Sequence, residues 1–189
     1  MTTPFLVSTL VVAIAEIGDK TQLLSFLLAA RFKKPVPIVV GILFATLANH
    51  ALAGLLGEWV HAQLGPDTLR WVLGVSLFVI ALWTLKPDKL DVEVKPKGRY
   101  GVFALTLVMF FLAEMGDKTQ IATVILAAQY HALVSVVLGT TFGMMLANVP
   151  AVLAGHALAH RIPLNAVRVV AALIFAALGV FALFGPQAL

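Results

Sequence analysis

EIGDKT occupies residues 16–21, inside a run whose other residues favour leaving water: PFLVSTLVVAIAEIGDKTQLLSFLLAA, residues 4–30. About 20 mostly apolar residues suffice to cross a bilayer, so this run is long enough to be a membrane helix. Glu16, Asp19 and Lys20 would then lie at membrane depth. The pattern returns at residues 114–119 as EMGDKT, in an equally apolar setting. Two copies of one charged hexapeptide, each buried in oil, call for a common cause.

Composition settles the solvent first. Of 189 residues, 61% are hydrophobic and 12% charged, and the mean hydropathy is +1.01. Soluble domains average about 45–50% apolar and about 25% charged residues. A water-facing globule of this size cannot bury so much apolar surface, which makes the chain an all-α integral membrane protein in a lipid bilayer. There are no cysteines, which excludes disulfides, thiolate metal sites and haem attachment. The start, MTTPFLVSTLVVAIA, ends in small residues like a cleavable signal, but it carries no Lys or Arg and the apolar run continues past it. The segment therefore reads as a retained helix.

Apolar segments fall at 5–30, 36–58, 69–86, 101–129, 132–158 and 164–185, which predicts six transmembrane helices. Between them stand KKPVP at 33–37, GPD at 65–67, the polar stretch 87–100, QYHA at 129–132 and HRIP at 160–163. A shift of 98 residues lays EIGDKTQLLSFLLAA on EMGDKTQIATVILAA with nine identities in fifteen, Gly41 on Gly139 and Arg70 on Arg168. One inserted residue brings LAN at 47–49 onto LAN at 146–148. The expected organisation is a first three-helix repeat at 1–86, a linker at 87–100 and a second repeat at 101–189. Three is odd, so the second copy enters the membrane from the opposite side, giving two inverted three-helix repeats as in many secondary transporters.

Basic residues set the orientation. Arg31, Lys33, Lys34, Lys86, Lys89, Lys95, Lys97, Arg99, Arg161 and Arg168 fall on one side and only Arg70 on the other. Ten against one predicts a cytoplasmic linker and extracytoplasmic termini. The net charge of +4 is thus a topology signal, and nothing supports nucleic-acid binding. Trp59, Trp71, Trp83, Tyr100 and Tyr130 all fall near predicted helix ends, where aromatic belts sit.

Every charge predicted at membrane depth belongs to a hexapeptide: Glu16, Asp19 and Lys20, and Glu114, Asp117 and Lys118. Glu16 lies about eleven residues into its segment, roughly 16 Å, near the middle of a ~30 Å hydrocarbon core. Each charge there costs about 2.5–3.5 kcal/mol, so the groups must face one another or a polar cavity. On a continuous helix Glu16, Asp19 and Lys20 share a face at i, i+3 and i+4 spacing. Gly18 and Gly116 allow close helix packing or a local break.

Brought together at the midplane, the two motifs gather four carboxylates, Glu16, Asp19, Glu114 and Asp117, as candidate metal ligands. Hard divalent cations such as Ca²⁺, Mn²⁺ and Mg²⁺ prefer oxygen. Gln22, Gln120, Asn49 and Asn148 could add amide oxygens, and Thr21 and Thr119 hydroxyls. Protons and cations would compete for the same oxygens, the minimum chemistry of an antiporter. Lys20 and Lys118 are expected to tune the site, each neutralising its own Glu16 or Glu114. If the motifs were only buried ion pairs gluing helices together, Asp19 and Asp117 would be left unpaired and the duplication unexplained. His50 reads as a packed polar residue, Asn49 and Asn148 equally as helix-bridging amides, and Gly139-x-x-x-Gly143 as helix packing.

The doubled E-x-G-D-K-T pattern in a small six-helix chain resembles the Gdt-type cation/proton exchanger family, over nearly the whole length. The resemblance implies exchange of Mn²⁺ and/or Ca²⁺ against H⁺, with bacterial relatives looking like manganese exporters, and it implies no resident cofactor. The family's motif falls on Glu16, Gly18, Asp19, Lys20 and Thr21, and on Glu114, Gly116, Asp117, Lys118 and Thr119. The short linker and the absence of an organellar targeting extension point to a bacterial inner membrane. Other readings stay open on sequence: an exporter of a small amine or amino acid, an intramembrane enzyme with an Asp dyad, or a non-transporting membrane subunit. Mn²⁺ against Ca²⁺, and whether the chain forms a homodimer, are also open.

Overall fold

The structure, a computed structural model, describes residues 2–86, 101–154 and 164–184. The expected linker 87–100, with Lys89, Lys95, Lys97, Arg99 and Tyr100, and the turn around Arg161 lie outside the described residues. Every described element is an α-helix: α1 Thr2–Glu16, α2 Lys20–Phe32, α3 Pro35–Gln63, α4 Pro66–Thr84, α5 Val102–Glu114, α6 Lys118–Tyr130, α7 Leu133–Ala154 and α8 Leu164–Phe184.

Two of the six expected continuous segments are broken. The segment expected at 5–30 divides into α1 and α2, bent by 69° at Ile17–Asp19. The segment at 101–129 divides into α5 and α6 at the equivalent place. Glycine is the cause: Gly18 and Gly116 have φ of 80° and 74°, a left-handed conformation that other residues reach only with strain. Of the two uses open to these glycines, the structure takes the break, and a Cβ on Gly116 would meet nothing within 4 Å. Prolines at the starts of α3 and α4 sit where a missing N–H costs nothing.

By length and apolarity, α3, α4, α7 and α8 can each cross a membrane, and α1 with α2 makes a fifth span if counted as one bent helix. Large apolar side chains cover the outside, Leu82 at 72% and Phe184 at 73% exposure among them, a surface suited to lipid rather than water.

Packing joins the two halves of the chain. α3 lies against α5 and α6, α7 against α1 and α2, and α4 against α8. The long helix of each half therefore grips the broken helix of the other. Small residues permit the approach: a Cβ on Gly41 would come within 2.8 Å of Thr106 Cβ and 3.0 Å of Phe103 O. One on Gly139 would come within 3.0 Å of Ser8 Cβ and 2.5 Å of Phe5 O, the positions 98 residues earlier. Gly143 is as tightly placed, its Cβ direction meeting Thr9 O at 2.5 Å, so the Gly139-x-x-x-Gly143 stripe seats α7 on α1.

Candidate cation site

The break creates the site. α1 ends on Glu16 and α2 begins after its N-cap Asp19; α5 ends on Glu114 and α6 begins after its N-cap Asp117. The chain turns through Asp19 N–H to Glu16 O and Asp117 N–H to Glu114 O, both 3.1 Å. Aspartate is a favoured N-cap, and an N-terminal helix dipole favours a negative charge. Gln22 and Gln120, three residues into their helices, reach back and accept from Gly18 N (2.8 Å) and Gly116 N (2.7 Å), a variant of the capping box. Two helix ends from each half of the chain thus meet inside the bundle, a geometry also found in the discontinuous helices of transporters.

All four expected carboxylates converge. One oxygen each from Glu16, Asp19, Glu114 and Asp117 can be chosen so that all lie within 4.8 Å of one another, and every residue is buried. Thr21 Oγ1 donates to Glu16 Oε2 at 2.6 Å, and Thr119 Oγ1 to Glu114 Oε2 at 3.2 Å. The other oxygens, Glu16 Oε1 and Glu114 Oε1, are buried with no hydrogen-bond partner. A buried carboxylate oxygen without a donor is costly unless something else satisfies it.

The lysines differ from expectation. Lys20 Nζ pairs with Asp117 Oδ2 at 3.1 Å, and Lys118 Nζ pairs with Asp19 Oδ1. Each therefore serves the aspartate of the other repeat rather than the glutamate four residues earlier. The i, i+4 argument required a continuous helix, and the break at Gly18 and Gly116 removes it.

The amides bridge helices. Gln22 Nε2 donates to Ala147 O at 3.1 Å, and Gln120 Nε2 to Asn49 Oδ1 at 3.2 Å. Asn49 Nδ2 donates to Phe111 O at 2.9 Å, and Asn148 Oδ1 accepts from Ser25 Oγ at 2.8 Å. These bonds tie α3 and α7 to the opposite repeat's broken helices. Ser25, which sequence reading passed over, completes this frame; its position in the second repeat is Thr123, bonded to Thr119 O at 2.8 Å. His50 is fully buried, with neither ring nitrogen hydrogen-bonded.

The family described as "Divalent cation/proton antiporter GDT1" matches residues 4–92 and 102–188. A Vibrio cholerae protein named "Putative manganese exporter" is 56% identical over 170 residues, covering 89% of this chain and 84% of its own. A GDT1-like protein of Synechocystis is 28% identical over 93% of this chain and 94% of its own. GDT1-like protein 4 of Oryza sativa is 29% identical over 96% of this chain and 73% of its own. No solved structure matches the chain.

Proposed function

Since this chain belongs to the GDT1 family of divalent cation/proton antiporters, we propose that Glu16, Asp19, Glu114 and Asp117 form one shared site for the exchanged ions. The observation carrying this reading is the convergence of four buried carboxylates from two repeats, with Glu16 Oε1 and Glu114 Oε1 lacking any donor. Oxygen ligands suit Mn²⁺ and Ca²⁺ alike. Manganese is the leading substrate, in keeping with the name of the Vibrio cholerae relative.

Charge counting supports exchange. Four carboxylates and two ammonium groups leave two negative charges, which one divalent cation or two protons neutralise. A cation entering among the carboxylates would draw Asp19 and Asp117 from Lys118 and Lys20. When it leaves, protons and the lysines restore neutrality. Thr21 and Thr119 hold one oxygen of each glutamate and leave the other for the ion, while Gln22, Gln120, Asn49 and Asn148 hold the helix ends in place.

The architecture under this reading is six spans, with α1–α2 and α5–α6 each crossing as a broken helix, arranged as two inverted repeats, 1–86 and 101–189. In this reading, which the distribution of basic residues supports, linker 87–100 is cytoplasmic and both termini lie outside, the membrane is a bacterial inner membrane, and the cation leaves as protons enter. A cysteine at position 93 should label from the cytoplasm and one at 67 from outside; the reverse pattern would overturn the orientation. The exchange itself is tested in proteoliposomes holding a pH dye. Mn²⁺ or Ca²⁺ should trigger proton movement, whereas a response to lysine or diamines alone would favour an amine exporter.

A further inference from the structure

α3 and α6 end together, and each brings a histidine to that end. His61 lies in the last turn of α3 and His131 is the residue that caps α6. Their rings are in contact, edge to face. His61 Nδ1 lies 2.8 Å from Ala128 O, so the tautomer that donates there leaves Nε2 with a free lone pair. Metal-binding histidines are commonly oriented by such a bond to a backbone carbonyl. Glu58, one turn before His61, shares its face of α3 and acts electrostatically on His131.

We propose that His61 and His131, with Glu58 on the same face of α3, form a second divalent-metal site at the membrane face, for a transition-metal ion that accepts imidazole nitrogen. His131 is exposed, so a rotamer change opens the wedge between the rings and turns both imidazoles toward one ion, with the backbone fixed. His61 stands twelve residues beyond Asn49 on α3, and His131 thirteen beyond Lys118. At about 1.5 Å per residue this is roughly 18–20 Å from the carboxylates, at the end of the span.

One further feature fits. The backbone under His131 is set by the fold rather than the ring: Lys33, 98 residues earlier, caps α2 with the same left-handed φ, 50° against 48°. Lysine offers no lone pair while charged, so the turn at Lys33, equivalent to that at His131, carries no imidazole. Imidazole suits zinc, copper and nickel, and binds Mn²⁺ more weakly than these, whereas Ca²⁺ takes oxygen. The pair would therefore distinguish transition metals from calcium in a way four carboxylates do not.

The test uses the full chain in detergent, with Cu²⁺ and Zn²⁺ as probes. Pulsed electron paramagnetic resonance at one equivalent of Cu²⁺ should show imidazole nitrogen coupling. His61→Gln and His131→Gln should each weaken Zn²⁺ binding by at least about tenfold and reduce that coupling. The pair Glu16→Gln/Glu114→Gln should leave both readouts unchanged, which separates this site from the carboxylate site, and excess Ca²⁺ should not displace Zn²⁺. Imidazole coupling that persists unaltered in both histidine variants, or its absence from the unsubstituted chain, would overturn the proposal.

Discussion

The two hexapeptides share chemistry but not exposure. Both glycines turn the chain through positive φ, both aspartates cap a helix, and each lysine crosses to the other repeat's aspartate. Yet Gly18 is buried and Gly116 exposed, and the Lys118 side chain is 4% exposed where that of Lys20 is 23%. The Asp117 carboxylate accepts from Lys118 N–H at 2.6 Å, while no such bond caps α2 through Asp19. Duplication thus fixes which groups meet, and the packing around each copy fixes how far water can screen them. Equal function with unequal energetics is what this difference implies.

The acids carry the equal part. Glu16→Gln and Glu114→Gln should each reduce proton-coupled cation movement by about a hundredfold or more, since stripping one partner from a buried charge set costs several kcal/mol. The double variant should be no worse than either single one, because groups acting as a unit are not additive. Near-normal exchange in one half's variant and none in the other's would break the equivalence, leaving the chemistry to a single repeat.

The lysines carry the unequal part. Lys118→Met removes the ammonium paired with the buried Asp19 carboxylate and should destabilise the protein by about 3–5 kcal/mol. Lys20→Met should cost less, because Lys20 is the less buried of the two lysines. Both should impair transport less than changes at the acids. Thermal unfolding in detergent, ranked across the two variants, decides this; equal losses would mean the exposure difference has no energetic weight.

A smaller asymmetry lies in the threonines. Thr21 holds its glutamate at 2.6 Å and Thr119 at 3.2 Å. Hydroxyl bonds to a carboxylate strengthen as they shorten. Thr21→Val should weaken cation binding by about tenfold, as loss of a charged hydrogen bond worth about 1.5 kcal/mol implies, and Thr119→Val by less. Isothermal titration with Mn²⁺ measures both, and the reverse order would contradict this reading.

Much of this was legible in the residues. The apolar runs pointed to helices, and the recurrence of E-x-G-D-K-T picked out the four carboxylates that the fold brings together. The lysine pairing was not legible, because spacing along a helix predicts neighbours only where the helix is continuous. The two glycines signalled either packing or a break, and the choice depends on the capping bonds from Gln22 and Gln120 back to the turn. The contact of His61 with His131 was hidden for another reason: seventy residues separate them, and neither shows periodicity that would pair α3 with the end of α6.

The most direct measurement is the number of Mn²⁺ ions bound per purified chain, by equilibrium dialysis, in a chain carrying His61→Gln and His131→Gln, with and without Glu16→Gln or Glu114→Gln. A site shared by both repeats predicts one ion per chain, lost in either variant. Two ions per chain, with one retained in each variant, would mean that each repeat binds its own cation and would contradict a shared site.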